Sequence, residues 1–214
     1  MKKYLVPAIF NLIIYVAPLA FNMGLLFNIK LAVLVIAAFA LLLTQPPLSA
    51  KEAKAKKRTD HNSVYAIMLA AMVSQMSVVI EWAYMIPEQA RNGSTVVTII
   101  GLVILVSGVA FRVWSIRTLG RFFTSTVQVQ NSHKVISTGP YALVRHPSYL
   151  GALTAMVGSA VFMNAFVAAI ITVVGMLIAY RLRIAAEEQT LASALGEEYK
   201  VYMQKTPRLI PCVW

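Results

Sequence analysis

The sequence predicts an all-α integral membrane protein with about six membrane-spanning helices. Three observations predict it. Residues 4–29, 31–50, 61–80 and 92–111 contain no Lys, Arg, Asp or Glu, and neither does the longer run 146–180. Only 13% of the residues are charged and 59% are hydrophobic, whereas about a quarter of a soluble domain is charged. Finally, the basic residues fall in clusters between the apolar runs, which is how membrane topology is written into a sequence.

Each of the first four charge-free windows supplies the ~20 residues that cross a hydrocarbon core. Pro7 and Pro18 lie inside the first, so that span is expected to bend, which membrane helices tolerate. Met-Lys-Lys ahead of an apolar run looks like a secretory signal, but a second apolar window follows at once, so an uncleaved first span is expected. Gln45-Pro-Pro-Leu-Ser breaks the second span, and the third begins near Ser63. Pro87 to Ser94, with Asn92-Gly93, reads as an external turn. The fourth span runs from about Thr95 to Arg117, where Gly101 and Gly108 allow close approach of another helix.

The run 146–180 would reach about 50 Å as one helix at ~1.5 Å per residue, too long for one crossing. Asn164 near its middle offers a turn, so a helical hairpin is expected, its second arm continuing past Glu187 to end near Gly196. A further helical piece follows over Glu197–Tyr202. The chain reads as one membrane domain, with N-terminal spans in 1–90 and a catalytic half in 91–214.

A net charge of +11 invites a nucleic-acid reading, but the distribution argues against it. In a six-span arrangement 17 of the 19 Lys and Arg fall on one side, and only Lys30 and Arg91 fall opposite. That is the positive-inside pattern, with both termini cytoplasmic. Anionic lipid headgroups are the natural partners of the surplus. Cys212, the single cysteine, is the third residue from the end where a prenylation box places it fourth, so no such box is expected.

Two polar clusters interrupt this apolar chain: His133–Gly151, and Arg183-Ile-Ala-Ala-Glu187-Glu188. The residues from Thr118 to Pro147 read as irregular backbone, which survives at membrane depth only where protein covers it or it lines a cavity. Arg183 and Glu187 are four apart and share a helix face. One reading is a helix end dressed with solvated charges. The other is a pair of opposed hooks, a carboxylate for a cationic methyl donor and a guanidinium for an acidic acceptor. His133 and His146 lack a third histidine, a cysteine or a carboxylate at ligand spacing, so no metal is expected. No Gly-x-Gly-x-x-Gly follows a strand, which excludes a Rossmann crevice.

The His-Lys-Val-Ile segment at 133–136, Gly139-Pro-Tyr141, Arg145-His-Pro-Ser-Tyr149 with Gly151, and Glu187-Glu188 together resemble the isoprenylcysteine carboxyl methyltransferase family. The likeness runs over roughly residues 101–211, and residues 1–90 share only hydropathy with the family. It implies a membrane enzyme using S-adenosylmethionine, with a cytoplasmic cofactor-binding loop and a C-terminal helix. It places cofactor contacts at Gln128 or Gln130, His133, Lys134, Val135, Ile136, Tyr141, His146, Pro147, Ser148, Tyr149 and Glu187. It assigns the substrate, and the catalytic positioning, to Arg183.

The implied reaction is methyl transfer to a lipophilic acceptor, a prenylcysteine-like carboxylate if the likeness extends to substrate. A sulfonium leaves as a neutral group, so placement and a dry path suffice and no acid–base dyad is needed. A phospholipid amine or a thiol is the alternative acceptor. A sterol-type membrane reductase shares a His-Pro-x-Tyr-x-Gly pattern but takes NADPH. A transporter would need charges mid-span, and residues 146–180 have none.

Overall fold

The structure, a computed structural model, describes residues 2–44, 63–91, 93–123 and 134–210. Its helices are α1 (Lys2–Asn11), α2 (Ile29–Leu43), α3 (Ser63–Ile80), α4 (Thr95–Leu119), α5 (Pro147–Phe162), α6 (Phe166–Leu195) and α7 (Glu197–Lys205). Among the described residues there is no strand.

The first span bends where its prolines predict. α1 passes into a π turn at Leu12–Val16 and a 3-10 turn at Ala17–Leu19 that contains Pro18. Asn28 caps α2 by accepting the Lys30 backbone N–H at 2.9 Å. α3 runs on through a π turn at Glu81–Met85. The buried Glu81 carboxylate then accepts the N–H groups of Val167 and Ala168 at 3.2 and 2.6 Å. These are orphan donors at the start of α6, where negative charge is favoured.

Among the described residues three helices are long and apolar enough to cross a membrane: Ser63–Met85, Thr95–Phe122 and Phe166–Leu195. The other apolar helices, Pro7–Leu19, Ile29–Leu43 and Pro147–Phe162, are shorter. Against the expected six spans, the described residues hold three helices of spanning length and three shorter apolar ones. The 16 residues of α5 rise only about 24 Å, against a core of about 30 Å.

The predicted hairpin is present. α5 and α6 are joined through Asn164, whose φ of 60° lies in the left-handed region that Asn tolerates. Its side chain fills the space where a Cβ on Gly93 would sit. Lys30 Nζ donates to Thr98 Oγ1 at 3.1 Å and to Arg91 O at 3.5 Å. The two basic residues set apart by the charge pattern thus meet at one end of the bundle.

α4 and α5 pack backbone to backbone. A Cβ on Gly101 would strike the Phe162 backbone, and one on Gly108 the Ala155 backbone. Gly151 and Gly158 do the same in return, against Arg112 and Leu105. The seven-residue spacing of Gly101 and Gly108 is mirrored by Gly151 and Gly158, so each helix offers two notches to the other. Gly158→Val is expected to cost at least the ~1–3 kcal/mol of an overpacked core, because helix backbone cannot yield as a side chain does. A lowered thermal midpoint in detergent checks this, and an unchanged midpoint would refute the notch.

One apolar core joins α1, α2 and α3 to the α5–α6 turn through Ile14, Leu34, Val78, Trp82 and Met163. A second, with Leu153, Met176, Tyr180, Ile184 and Leu209, lies under the polar end. Between these cores and the polar clusters runs a cavity.

Candidate active site

Gly139 opens the site with a φ of 58°, a conformation that suits glycine. The 3-10 turn Gly139–Ala142 follows and turns Tyr141 inward, to 6% exposure. Pro147 then occupies the first turn of α5, where its missing N–H costs nothing, and His146 is the N-cap residue. This Pro start aims His146, Ser148 and Tyr149 along the first turn of α5. Those three line the cavity, and Pro147, although buried, is not on its wall.

α6 supplies the opposite wall. Arg183 Nε donates to Tyr149 OH at 3.1 Å, and Tyr149 OH donates to Glu187 Oε2 at 2.9 Å. Arg183 and Glu187 themselves are 3.9 Å apart. The shared helix face is therefore real, with the Tyr149 hydroxyl inserted between the two charges. Arg183 is buried, while the Glu187 side chain keeps 27% exposure and faces the cavity. His146, Tyr149 and Tyr180 form a continuous stack, with ring centroids 5.8 and 4.9 Å apart.

Glu188 points elsewhere and does different work. It is 3% exposed and receives Arg145 Nε at 2.8 Å, Arg208 Nε at 2.8 Å and lies 3.1 Å from His146 Nε2. Arg145 Nη1 also donates to Met203 O at 2.7 Å and to Thr206 O. The backbone N–H groups of Arg145 and His146 donate to Pro207 O and Arg208 O at 2.9 and 3.1 Å. The C-terminal segment is thus strapped along the loop that precedes α5.

Tyr202 on α7 completes the strap by donating its hydroxyl to Tyr141 O at 2.7 Å. Burial pushes the Tyr202 phenol up to about 12, against the opposing pull of Arg145. Burial, helped by the Glu187 charge, also raises Tyr141. Both phenols stay protonated across the physiological range, so the Tyr202 donor bond is insensitive to pH there.

Of the residues implicated from sequence, Lys134, Val135, Ile136, Tyr141, His146, Ser148, Tyr149, Arg183 and Glu187 share the wall of one cavity of about 940 Å³. Gln128, Gln130 and His133 lie outside the described residues. Arg112 was read from the sequence only as a topological charge. It is 2% exposed, lines the same cavity, and its Nη1 donates to Ser148 O at 2.8 Å. Its signal was an arginine inside a long apolar helix, a costly placement that marks function or close pairing. Among the described residues no three of His, Cys, Asp and Glu gather in a way that could hold a metal ion.

The cavity has two arms. The polar arm runs among Glu187, Arg183, Tyr149 and Tyr141, and the apolar arm extends between α1, α2, α3 and α5, past Leu34, Ala38, Met72 and Ala155. A solute with a charged head and a greasy tail fits such a shape.

A sequence profile of the isoprenylcysteine carboxyl methyltransferase family matches residues 99–193. Protein-S-isoprenylcysteine O-methyltransferase B of Arabidopsis thaliana is 34% identical over 115 residues, covering 53% of this chain and 58% of that protein. The Mus musculus protein-S-isoprenylcysteine O-methyltransferase is 30% identical over 115 residues, covering 53% of this chain and 41% of its own length. The matched segment thus spans less than two thirds of these relatives. A solved structure of the eukaryotic intramembrane Ras methyltransferase of this family superposes with a TM-score of 0.64 at 23% identity, covering 97% of this chain and 73% of that one. That likeness establishes a shared fold.

Proposed function

We propose that this chain, whose residues 99–193 match the profile of the isoprenylcysteine carboxyl methyltransferase family, is a member of it and methylates the carboxylate of a prenylcysteine-like lipid with S-adenosylmethionine as donor. The observation that carries this reading is the single cavity joining the Glu187–Tyr149–Arg183 relay to an apolar arm among the helices.

The residues present fit the donor. Glu187 is a cavity-facing carboxylate beside the aromatic rings of Tyr149 and Tyr141, a setting that favours a cationic sulfonium and ammonium. Lys134, Val135, Ile136, His146 and Ser148 would complete its wall, with Gln128 or Gln130 and His133 as further contacts from outside the described residues. When bound, S-adenosylmethionine supplies a methyl group already activated on sulfur. The protein's own task is then placement. Arg183 holds the acceptor carboxylate, Tyr149 keeps Arg183 and Glu187 from collapsing onto each other, and the apolar arm takes the tail and excludes water. A carboxylate acceptor arrives deprotonated, so no general base is required.

The direct test is ester formation. Purified protein in detergent, given labelled S-adenosylmethionine and S-farnesyl-N-acetylcysteine, is expected to produce a base-labile methyl ester. Transfer to a phospholipid amine or a thiol instead would redirect the acceptor. Binding of NADPH without binding of adenosylhomocysteine would replace the reading with a reductase.

Glu187→Gln retains shape but loses charge. It is expected to weaken donor binding by roughly 1.5–3 kcal/mol, or about 10- to 150-fold. Calorimetry with adenosylmethionine on the folded variant measures it, and an unchanged affinity removes Glu187 from the donor site.

We further propose that the polar arm opens to the cytoplasm, in line with the positive-inside count. With Cys212 replaced, single cysteines at Asn92 and Lys54 are expected to label from opposite sides of sealed vesicles. Labelling from one side would overturn this orientation.

A further inference from the structure

His146 lies between two consecutive carboxylates of α6. Its Nε2 is 3.1 Å from Glu188 Oε1, and its Nδ1 is 3.9 Å from Glu187 Oε2. The two carboxylates are not equivalent. Glu188 Oε1 also receives Arg145 Nε at 2.8 Å, and Glu188 Oε2 receives Arg208 Nε at 2.8 Å. Two guanidinium groups hold Glu188 as an anion, and an ionised carboxylate can only accept. The bond between His146 and Glu188 therefore has its proton on Nε2. A neutral imidazole carries one N–H, so this bond leaves Nδ1 as a bare acceptor.

Bare Nδ1 faces another acceptor. His146 is the N-cap residue of α5, yet its side chain makes no capping bond, so Nδ1 is not spent on the helix. Glu187 Oε2 accepts from Tyr149 OH at 2.9 Å and has a further lone pair to offer. Nδ1 and Oε2 cannot bond without a hydrogen between them. Their 3.9 Å separation lets one cationic nitrogen lie about 2.8 Å from both. His146 and Glu187 both line the cavity, and Nδ1 is not among the sealed, unpartnered polar atoms of the described residues. The gap between them therefore borders the cavity. Its chemistry selects an occupant: a sulfonium has no N–H to give, whereas an ammonium has three and a charge that suits Glu187. The opposite tautomer would turn an N–H of His146 onto Glu187 and compete with that cation.

We propose that Glu188 is a positioning residue. It holds His146 as the Nε2–H tautomer, so that Nδ1 and Glu187 Oε2 form a paired seat for the ammonium group of the methyl donor. The inference rests on the reading of this cavity as an adenosylmethionine site. It adds that Glu188 acts on the donor without touching it, through the proton it fixes on His146.

The chain has three histidines, His61, His133 and His146, so nitrogen NMR on full-length protein carrying isotope-labelled histidine reads the tautomer directly. The His146 signals are those lost in His146→Phe, which keeps a ring stacked on Tyr149. Ligand-free protein in detergent is expected to show a protonated Nε2 and a bare Nδ1, and adenosylhomocysteine should shift the Nδ1 signal. Glu188→Gln, which keeps an acceptor, should preserve this tautomer, and Glu188→Ala should move the proton to Nδ1. Calorimetry then compares adenosylhomocysteine with the same compound bearing hydrogen in place of its amino group. Loss of the amino group is expected to weaken binding about 100-fold in the unaltered protein and only about 10-fold in His146→Phe. A protonated Nδ1 in the ligand-free protein, or an amino-group effect equal in both proteins, would overturn the seat. Failure of adenosylhomocysteine to bind would remove the donor reading of the cavity and the ammonium with it. The tautomer, read without ligand, separates that outcome from a wrong assignment of Glu188.

Discussion

Glu188→Ala is expected to be the most destabilising single change at the polar end, costing about 3–5 kcal/mol. Glu188 holds Arg145, Arg208 and His146 around one nearly buried carboxylate. The side chain of Arg145 is 8% exposed, so removing its counter-charge strands a guanidinium among backbone carbonyls. The strap over the loop before α5 depends on that same guanidinium, through Met203 O and Thr206 O. For a chain of this size each kcal/mol shifts the thermal midpoint by about 2–4 °C, so a drop of roughly 6–20 °C is expected. Glu188→Gln keeps one acceptor and is expected to recover part of it. Arg208→Ala is expected to cost far less, because the Arg208 side chain is 35% exposed and solvent compensates it. A thermal midpoint for Glu188→Ala equal to that of the parent protein would show that the strap does not depend on this ion cluster.

Arg183→Ala is expected to lower kcat/KM for the lipid acceptor by about 100-fold, within the range for losing a charge-assisted contact at a reacting group. Adenosylhomocysteine binding should change little, because Tyr149 still donates to Glu187 after Arg183 is gone. Arg183→Lys is expected to restore only part of the rate, since an ammonium does not reproduce the planar fork of the guanidinium. Tyr149→Phe separates the roles in the other direction. It deletes the hydroxyl that both charges share, so acceptor and donor should both suffer and the 3.9 Å Arg183–Glu187 pair should close. Equal loss of both ligands on Arg183→Ala would make this residue a brace for α6 and remove it from the acceptor site.

Gly101 and Gly108 illustrate how far one-dimensional pattern reaches. Their spacing permitted close helix contact but named no partner, and the matching notches at Gly151 and Gly158 became meaningful only once α4 and α5 lay side by side. The six spans read from hydropathy meet three long and three shorter apolar helices among the described residues, for a related reason. Hydropathy measures how apolar a window is, whereas the length of α5 is set by Pro147 at its start and the Asn164 turn beyond its end. Gln128, Gln130 and His133 were legible only through family likeness, and they lie outside the described residues.

The sequence by itself determined the all-helical membrane class, the bend in the first apolar helix, the hairpin at Asn164 and the end of α6 at Gly196. Each follows from local causes: the absence of charge over a helix-length window, a proline ring, or a residue at ease in the left-handed region. It also brought Arg183 and Glu187 onto one helix face, because four residues is about one turn. Only the tertiary structure decided which of the adjacent Glu187 and Glu188 meets the cavity. Neighbours on a helix point about 100° apart, and their fates depend on what packs against each side. Tyr149 from α5 came to one, and Arg145, His146 and Arg208, between 20 and 43 residues away along the chain, came to the other. Identical side chains thus became an open carboxylate beside Arg183 and a buried anchor, through contacts that no local pattern encodes.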